Sequence, residues 1–172
     1  VGEISTALSG LQQIEERVGE AISKLRRVCA DLRPLALDDL GLVSVLQQYV
    51  SDFADQTSIP ARFRLAGSDE RLADEVSLSL FRIVQDALSN VRQHAEARRG
   101  EVSLRIPPRD LMLIIEDDGR GFEKPSSLRA LTRQKHFGLA NMQERVRIIG
   151  GKLDIESHPG RGTKLTVEVP LE

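Results

Sequence analysis

The chain has 172 residues, 24 Lys and Arg against 26 Asp and Glu, and a formal net charge of −2 at pH 7. With this balance, no Trp and one Tyr, it lacks the basic surface and stacking rings of a nucleic-acid binder. Cys29 is the single cysteine, which excludes an intrachain disulfide, and the longest apolar run, Leu111 to Ile115, is too short to span a membrane. We therefore expect a globular protein without direct nucleic-acid or membrane contact.

Residues 1–33 are predicted to form one long helix, because apolar side chains recur in alternating steps of four and three. The seam consists of Ile4, Leu8, Leu11, Val18, Ile22, Leu25, Cys29 and Leu32, and Glu15 interrupts it. This heptad spacing is typical of a coiled coil, and so narrow an apolar seam needs a partner helix. The partner is a second copy of the chain or another segment of a bundle. An amphipathic helix packed on its own domain is the alternative.

Pro34 is expected to end this helix, since the residue before a proline avoids the α region. The link from Pro34 to Asp39 then marks a domain boundary. Beyond it we predict helices over 40–57, 71–95 and 139–149, strands over 61–66, 102–106, 111–116, 152–156 and 164–169, a turn over 67–70 and a mobile loop over 119–137. This order predicts an α+β fold, a two-layer sandwich in which helices cover one face of a mixed sheet, preceded by the long coiled-coil-like helix.

The helix that ends near Ala95 carries polar side chains beside its apolar stripe. Asp86, Asn90 and His94 follow one another in steps of four and therefore share one flank. A carboxylate can orient or deprotonate a nucleophile, and an amide oxygen is a suitable ligand for Mg²⁺. The flank is thus a candidate site, and a solvated helix surface without function is the alternative on this helix alone.

Three glycine clusters lie at the ends of predicted elements. The first, DDGRGF (Asp117–Phe122), follows the most apolar strand, where glycines allow close backbone approach to a ligand and an aspartate can accept a hydrogen bond from it. The second, FGLAN (Phe137–Asn141), begins a helix, whose free amides bind phosphate oxygens. The third, GRGT (Gly160–Thr163), turns into the last strand. Ordinary turn chemistry explains each cluster equally well when it is taken alone.

Taken in order, the D-x-x-x-N helix, the D-x-G-x-G strand end, the G-L helix start and the G-x-G-T turn resemble the ATP-binding domain of the histidine kinases. Those kinases belong to the superfamily that includes Hsp90, MutL and type II topoisomerases. DLRPLALDDLGL (Asp31–Leu42) and HFGLANMQERV (His136–Val146) further resemble the short-lid subfamily that pairs with NarL-type response regulators. The resemblance implies that residues 1–36 are the second helix of a dimerisation and phosphotransfer hairpin. Residues 37–172 would be the ATP-binding catalytic domain.

By this resemblance, Asp117 accepts a hydrogen bond from the adenine amino group, Asn90 ligates Mg²⁺ on the phosphates, and Asp86 polarises or deprotonates the attacking histidine. The other implied nucleotide-binding residues are His94, Gly119, Gly121, Gly138, Leu139, Gly162 and Thr163. His94 is either a neighbour of the phosphates or a helix-end residue that bonds a carbonyl group. The loop over 120–137 would be the lid that closes on ATP.

The chain departs from the family pattern in three places. Asp86 stands where the family usually has Glu, which shortens the reach of the carboxylate by one methylene. Gln93 stands where a Lys is common, which removes a possible phosphate contact. The histidines are His94, His136 and His158. All three lie in the ATP-binding part, so the acceptor histidine is expected upstream of Val1, and this chain alone should bind ATP without autophosphorylation.

The implied function is the ATP-binding catalytic core of a two-component sensor histidine kinase. Such a core transfers the γ-phosphoryl group of Mg-ATP to a histidine for relay to a response regulator. The implied partners are ATP, a response regulator and a second copy of the parent protein, and the implied location is the cytoplasm. Two alternatives remain: a non-catalytic nucleotide-binding dimerisation module, and a serine kinase acting on an anti-sigma antagonist, against which the heptad helix and the DLRP link argue.

Overall fold

The computed structural model describes residues 35–67, 72–106, 110–123 and 137–171. Their elements are α1 (Leu35–Thr57), β1 (Ala61–Gly67), α2 (Asp74–Asn90), a π turn (Val91–Ala95), β2 (Gly100–Ile106), β3 (Asp110–Asp117), α3 (Phe137–Ile148), β4 (Lys152–Ser157) and β5 (Thr163–Pro170). The predicted heptad helix, most of the predicted turn over 67–70 and most of the predicted lid lie outside the described residues.

The five strands form one mixed sheet in the order β1-β2-β3-β5-β4. β1 runs parallel to β2, and the other three neighbouring pairs are antiparallel. A parallel pair needs a crossover connection, which α2 supplies between β1 and β2. The mixed sheet and each of the five predicted strands are confirmed, with bounds that differ by no more than two residues.

Helices cover one face of this sheet. Side chains alternate along each strand, so that Val102 and Leu113 are fully buried while Arg105 and Glu116 are exposed on the other face. α1 packs on β1 and α2, and α3 packs on α2 and β4. The predicted two-layer α+β sandwich is therefore confirmed for the described part of the chain.

α2 lies at the centre of the helical layer. Leu80, Ile83 and Val84 on this helix have no exposed surface, and each such burial contributes about 1.5–3 kcal/mol. The rings of Tyr49 and Phe81 meet edge to face, with centroids 5.5 Å apart, and join α1 to α2. Packing on both neighbouring helices and the sheet holds α2, and the polar residues at its end, in a defined position.

The helix predicted over 139–149 runs from Phe137 to Ile148, and the other two predicted helices differ from the structure by more than two residues. The predicted link from Pro34 to Asp39 is helical from Leu35 onward, and Gly41 interrupts α1 with a φ of 76°, a left-handed conformation that favours glycine. The helix predicted over 71–95 begins at Asp74, and its α-helical part ends at Asn90. The following residues, Val91–Ala95, form one wider π turn. Hydrophobic spacing indicates which residues are buried but not how many residues each turn contains.

No helix among the residues that the structure describes combines the length and the apolar character needed to cross a lipid bilayer.

Candidate active site

A cavity of about 520 Å³ lies where the ends of α2 and β3 meet the beginnings of α3 and β5. Its apolar wall includes Val91, Ile115, Leu139 and Leu165. Its polar lining includes Asn90, His94, Asp117, Arg120 and Thr163. A cavity of this size, with polar and apolar lining in similar amounts, suits a small molecule that combines a flat apolar part with charged groups.

Asp117 lines the cavity and contributes a carboxylate to its polar lining. It is the last residue of β3 and faces Thr163 of β5 in the strand register. Its Oδ1 accepts a hydrogen bond of 2.8 Å from the Gly119 backbone N–H. Burial raises the pKa of Asp117 above its ordinary value, and the backbone N–H groups of Gly119 and Thr163 partly oppose that rise. The carboxylate is therefore held in place by the backbone while it faces the cavity.

Gly119 and Gly162 do not line the cavity, and instead pack closely against the neighbouring backbone. Gly162 has a φ of 73°, and a Cβ added there would collide with the Asp117 carbonyl group. A Cβ at Gly119 would collide with the carbonyl oxygen of Ala95. Gly121 does line the cavity, and its backbone lies against that of His158. The D-x-G-x-G and G-x-G-T motifs are thus packed backbone to backbone, which no residue with a side chain permits.

Ser157, which none of the sequence motifs indicated, connects the same two motifs. It is the last residue of β4, is buried and pairs with Thr163 in the register. Its hydroxyl lies within hydrogen-bond distance of Phe122 N, Gly162 O and Thr163 Oγ1. Leu153, Ile155 and Ser157 alternate along β4, which places this polar residue on the core side of the strand. This alternation is the sequence pattern from which Ser157 could have been predicted.

Asn90 lines the same cavity and lies next to the beginning of α3. A Cβ added at Gly138 would lie 3.5 Å from the Asn90 side-chain amide. Gly138 is the second residue of α3, so the N–H groups of the first helical turn, which have no partner within the helix, lie close to Asn90. Leu139 is buried behind them and lines the cavity. Free helix N–H groups beside an amide are suited to bind phosphate oxygens.

Asp86 lies beside the cavity and does not line it. Its Oδ2 is 4.0 Å from Arg145 Nε on α3. Burial raises the pKa of Asp86, and the positive charges of Arg145 and Arg82 partly oppose that rise. His94 lies on the π turn, and it lines the cavity with an exposed side chain. The polar flank predicted for Asp86, Asn90 and His94 therefore divides, with Asn90 and His94 facing the cavity and Asp86 facing α3.

Seven of the ten predicted site residues line this one cavity, although they come from four separate segments of the chain. They are Asn90, His94, Asp117, Gly121, Gly138, Leu139 and Thr163. Arg145 was missed in the sequence analysis. Its spacing of seven residues from Gly138, two turns of α3, was the signal that it faces the same neighbouring helix.

Comparison with known proteins gives consistent matches. Residues 75–172 match the model of the family described as histidine kinase-, DNA gyrase B-, and HSP90-like ATPase. The chain is 35% identical over 168 residues to the signal transduction histidine-protein kinase/phosphatase DegS of Brevibacillus brevis, which covers 98% of this chain and 42% of that protein. It is 31% identical over 160 residues to the oxygen sensor histidine kinase NreB of Staphylococcus carnosus, covering 93% and 45% of the two proteins. The chain thus spans less than half the length of these relatives.

A solved structure with the same fold is the histidine kinase domain of a blue-light activated histidine kinase from Erythrobacter litoralis. It matches with a TM-score of 0.64 at 23% identity, over 85% of this chain and 73% of that chain. At this identity the likeness concerns the arrangement of helices and strands alone.

Proposed function

Because the chain belongs to the histidine kinase-, DNA gyrase B-, and HSP90-like ATPase family, we propose that its cavity binds Mg-ATP and that the γ-phosphoryl group passes to a histidine. The chain is a catalytic ATPase domain homologous to those of two-component sensor histidine kinases. The observation that carries the proposal is the position of Asp117, Asn90 and the beginning of α3 around one cavity.

Adenine would occupy the end of the cavity near Asp117. The apolar side chains of Val91, Ile115 and Leu165 line the cavity and suit a flat ring. The Asp117 carboxylate accepts hydrogen bonds, and the adenine amino group donates them. A guanine would present a carbonyl oxygen at the same position, which an ionised carboxylate repels. These contacts support adenine as the preferred base.

The phosphates would lie near Asn90 and Gly138. The first turn of α3 offers free N–H groups to phosphate oxygens, and the Asn90 amide oxygen is a hard ligand that suits Mg²⁺ shared with those oxygens. When bound, Mg²⁺ would offset the negative charge of the phosphates. Arg120 also lines the cavity, and its guanidinium is paired with Glu96, with 3.5 Å between Nη1 and Oε1.

Asp86 would act on the acceptor histidine and not on the nucleotide. It precedes Asn90 by one helical turn, about 6 Å along α2. A carboxylate placed beside the phosphate end can accept the imidazole N–H proton as the other ring nitrogen attacks phosphorus. The shorter Asp in place of the usual Glu requires the histidine to approach more closely.

Several finer features belong to the same proposal. Residues 1–36 would be the second helix of a dimerisation hairpin, the acceptor histidine would lie upstream, and the parent protein would be a homodimer. Phosphate would then pass to a NarL-type response regulator in the cytoplasm. The DLRPLALDDLGL and HFGLANMQERV stretches support these features, and the relatives named as histidine kinases support transfer to a histidine.

Calorimetric titration of the native chain with ATP, with and without Mg²⁺, tests the nucleotide site. Asp117→Asn should weaken ATP binding by at least about tenfold. The Asn side chain presents to the adenine amino group either an NH2 donor, which repels it, or a neutral oxygen, whose hydrogen bond is weaker than that of a carboxylate. The matched control is Asp118→Asn, whose side chain binds the backbone N–H groups of Arg98 and Arg99 and does not line the cavity. Equal losses in both variants would refute the adenine assignment.

The competing function is a non-catalytic nucleotide-binding dimerisation module, favoured by Asp86 in place of Glu. Extending the chain upstream to include an acceptor histidine decides between the two. Rapid ATP-dependent formation of acid-labile phosphoprotein would support the kinase. Tight ATP binding without phosphorylation would support the module, and acid-stable phosphoprotein would indicate a serine kinase.

A further inference from the structure

Asp117, Thr163 and Ser157 form one row across three neighbouring strands. Asp117 pairs with Thr163 across β3 and β5, and Thr163 pairs with Ser157 across β5 and β4. Paired residues of neighbouring strands point to the same side of the sheet, and here that side is the helix-covered face. Asp117 and Thr163 line the cavity, whereas Ser157 is buried behind them with 4% of its surface exposed.

The Ser157 hydroxyl has three partners. Phe122 N lies 3.0 Å away, the Gly162 carbonyl oxygen 3.0 Å away and Thr163 Oγ1 3.1 Å away. A serine hydroxyl has one proton to donate and two lone pairs that accept. Three hydrogen bonds therefore use its complete capacity, and a buried hydroxyl is stabilised by making all of them.

The chemistry of two partners determines the direction of the third bond. The Gly162 carbonyl oxygen can only accept, so it receives the single Ser157 proton. The Phe122 backbone N–H can only donate, so it occupies one Ser157 lone pair. The remaining lone pair is left for Thr163, which must donate its own proton to Ser157. Thr163 Oγ1 then has only lone pairs to offer the cavity.

The row consequently presents hydrogen-bond acceptors at the end of the cavity where adenine would lie. Asp117 contributes carboxylate oxygens, and Thr163 contributes a hydroxyl oxygen whose proton is already used. A 6-amino group on a purine carries two N–H donors that match such acceptors. A 6-oxo oxygen at the same position would face the oxygens of Asp117 and Thr163 with its own lone pairs. No hydrogen bond could form, and buried polar atoms would be left unpaired.

We propose that Ser157 is a positioning residue for base specificity, which holds the Thr163 hydroxyl as an acceptor so that the cavity takes 6-aminopurine nucleotides and rejects 6-oxopurine nucleotides. The inference rests on the proposed ATP site and adds to it a residue that does not touch the nucleotide. It extends the selection made by Asp117 to a second acceptor.

The test compares the affinities of the native chain and of Ser157→Ala for ATP and for inosine triphosphate, which carries a 6-oxo group. In Ser157→Ala the Thr163 hydroxyl is released and can rotate to donate to the 6-oxo oxygen. We expect the ratio of ATP to inosine triphosphate affinity to fall by about tenfold. A merely structural role for Ser157 would weaken both nucleotides equally, and an unchanged ratio would overturn the inference.

Thr163→Val is the second variant, needed in case Ser157→Ala does not fold. Valine has nearly the shape of threonine but no acceptor, so the affinity ratio should fall here as well. The double variant Ser157→Ala/Thr163→Val should have the same ratio of ATP to inosine triphosphate affinity as Thr163→Val alone, because Ser157 acts through the Thr163 hydroxyl. A native ratio in Thr163→Val, or a further fall in the double variant, would overturn the inference.

The same experiment separates this inference from the proposed function. A native chain that binds neither nucleotide would refute the ATP site itself, and with it the inference. A native chain that prefers ATP, together with variants that keep the full preference, would refute the role of Ser157 and leave the ATP site standing.

Discussion

Asp86 Oδ2 lies 4.0 Å from Arg145 Nε across the interface of α2 and α3. That distance is longer than a hydrogen bond, so the two groups interact through their charges. Arg145 Nε is buried and has no hydrogen-bond partner among the described residues. Asn90, four residues after Asp86 on α2, lies next to Gly138, seven residues before Arg145 on α3. The contacts therefore advance along α2 as they go back along α3, so the two helices run antiparallel. One helix interface thus positions both the proposed phosphate end and Asp86.

Removing the Arg145 charge should raise the pKa of Asp86 further. Burial already raises this pKa, and of the two arginines that oppose the rise, Arg145 has a larger effect than Arg82. The measurement is a ¹³C NMR titration of the Asp86 carboxyl group in the native chain and in Arg145→Gln, with the signal assigned by its loss in Asp86→Asn. An Asp86 titration that stays where it is in Arg145→Gln would show that the charges do not interact.

Arg147→Gln is the matched control for this titration. Arg147 lies on the same helix, two residues further along, but its guanidinium pairs with Glu144, with 2.7 Å between Nη2 and Oε1. Both substitutions remove one positive charge from α3. The Asp86 titration should move only in Arg145→Gln, and equal movement in both would indicate a long-range effect of net charge.

Asp86 should also make the free energy of unfolding depend on pH. Its pKa is raised in the folded protein, so the unfolded chain loses the proton first, near the ordinary value of 3.8. The contribution of Asp86 to stability is therefore complete below that value and is lost as the pH rises through the folded pKa. Asp86→Asn should gain stability relative to the native chain over that rise, as measured by urea unfolding. A constant difference at every pH would contradict the raised pKa.

Asp86→Asn should slow phosphoryl transfer in a longer chain that includes the acceptor histidine. An amide cannot take the imidazole proton, and loss of a general base costs about 10²–10⁴-fold in rate. Asp86→Glu keeps the carboxylate and lengthens its reach, so it should retain activity, while ATP affinity should be equal in all three proteins. Full activity in Asp86→Asn would exclude Asp86 as the base.

Gly162→Ala should destabilise the chain much more than Gly160→Ala. Both glycines have positive φ, 73° and 78°, so either substitution costs about 1–2 kcal/mol in backbone strain. A Cβ at Gly160 meets no atom of the described residues within 4 Å, whereas one at Gly162 collides with the Asp117 carbonyl group. We expect Gly162→Ala to cost more than about 3 kcal/mol in urea unfolding. Equal costs would show that the two loops do not pack as described.

Gly138→Ala should separate ligand binding from stability. A Cβ there makes an ordinary 3.5 Å contact with Asn90, and alanine in place of glycine favours a helix by up to about 1 kcal/mol. The added methyl group occupies space that the phosphates would use. We expect unchanged or increased stability, ATP affinity reduced about tenfold, and adenosine affinity unchanged, measured by calorimetry. Equal weakening of adenosine and ATP would mean that Gly138 does not mark the phosphate end.

Local patterns predicted the elements of this protein well, because alternation in strands and helical spacing both report which side chains face a core. Val102, Leu113 and Val167 are buried as their alternation indicates. The four motifs together predicted ten site residues, and seven of these ten line one cavity. The π turn was missed because inserting one residue into a helical turn changes backbone geometry without changing the apolar composition.

The amino-acid sequence by itself determined the strands, the helices, the family resemblance and the chemical types of the site residues. Only the tertiary structure decided that Asp86 faces Arg145 instead of the cavity, and that Ser157 lies in one row with Asp117 and Thr163. Both facts depend on register, between α2 and α3 in one case and between β3, β5 and β4 in the other. The registers between α2 and α3 and between β3 and β5 are fixed by packing between segments that are far apart in the chain, and no local spacing records them.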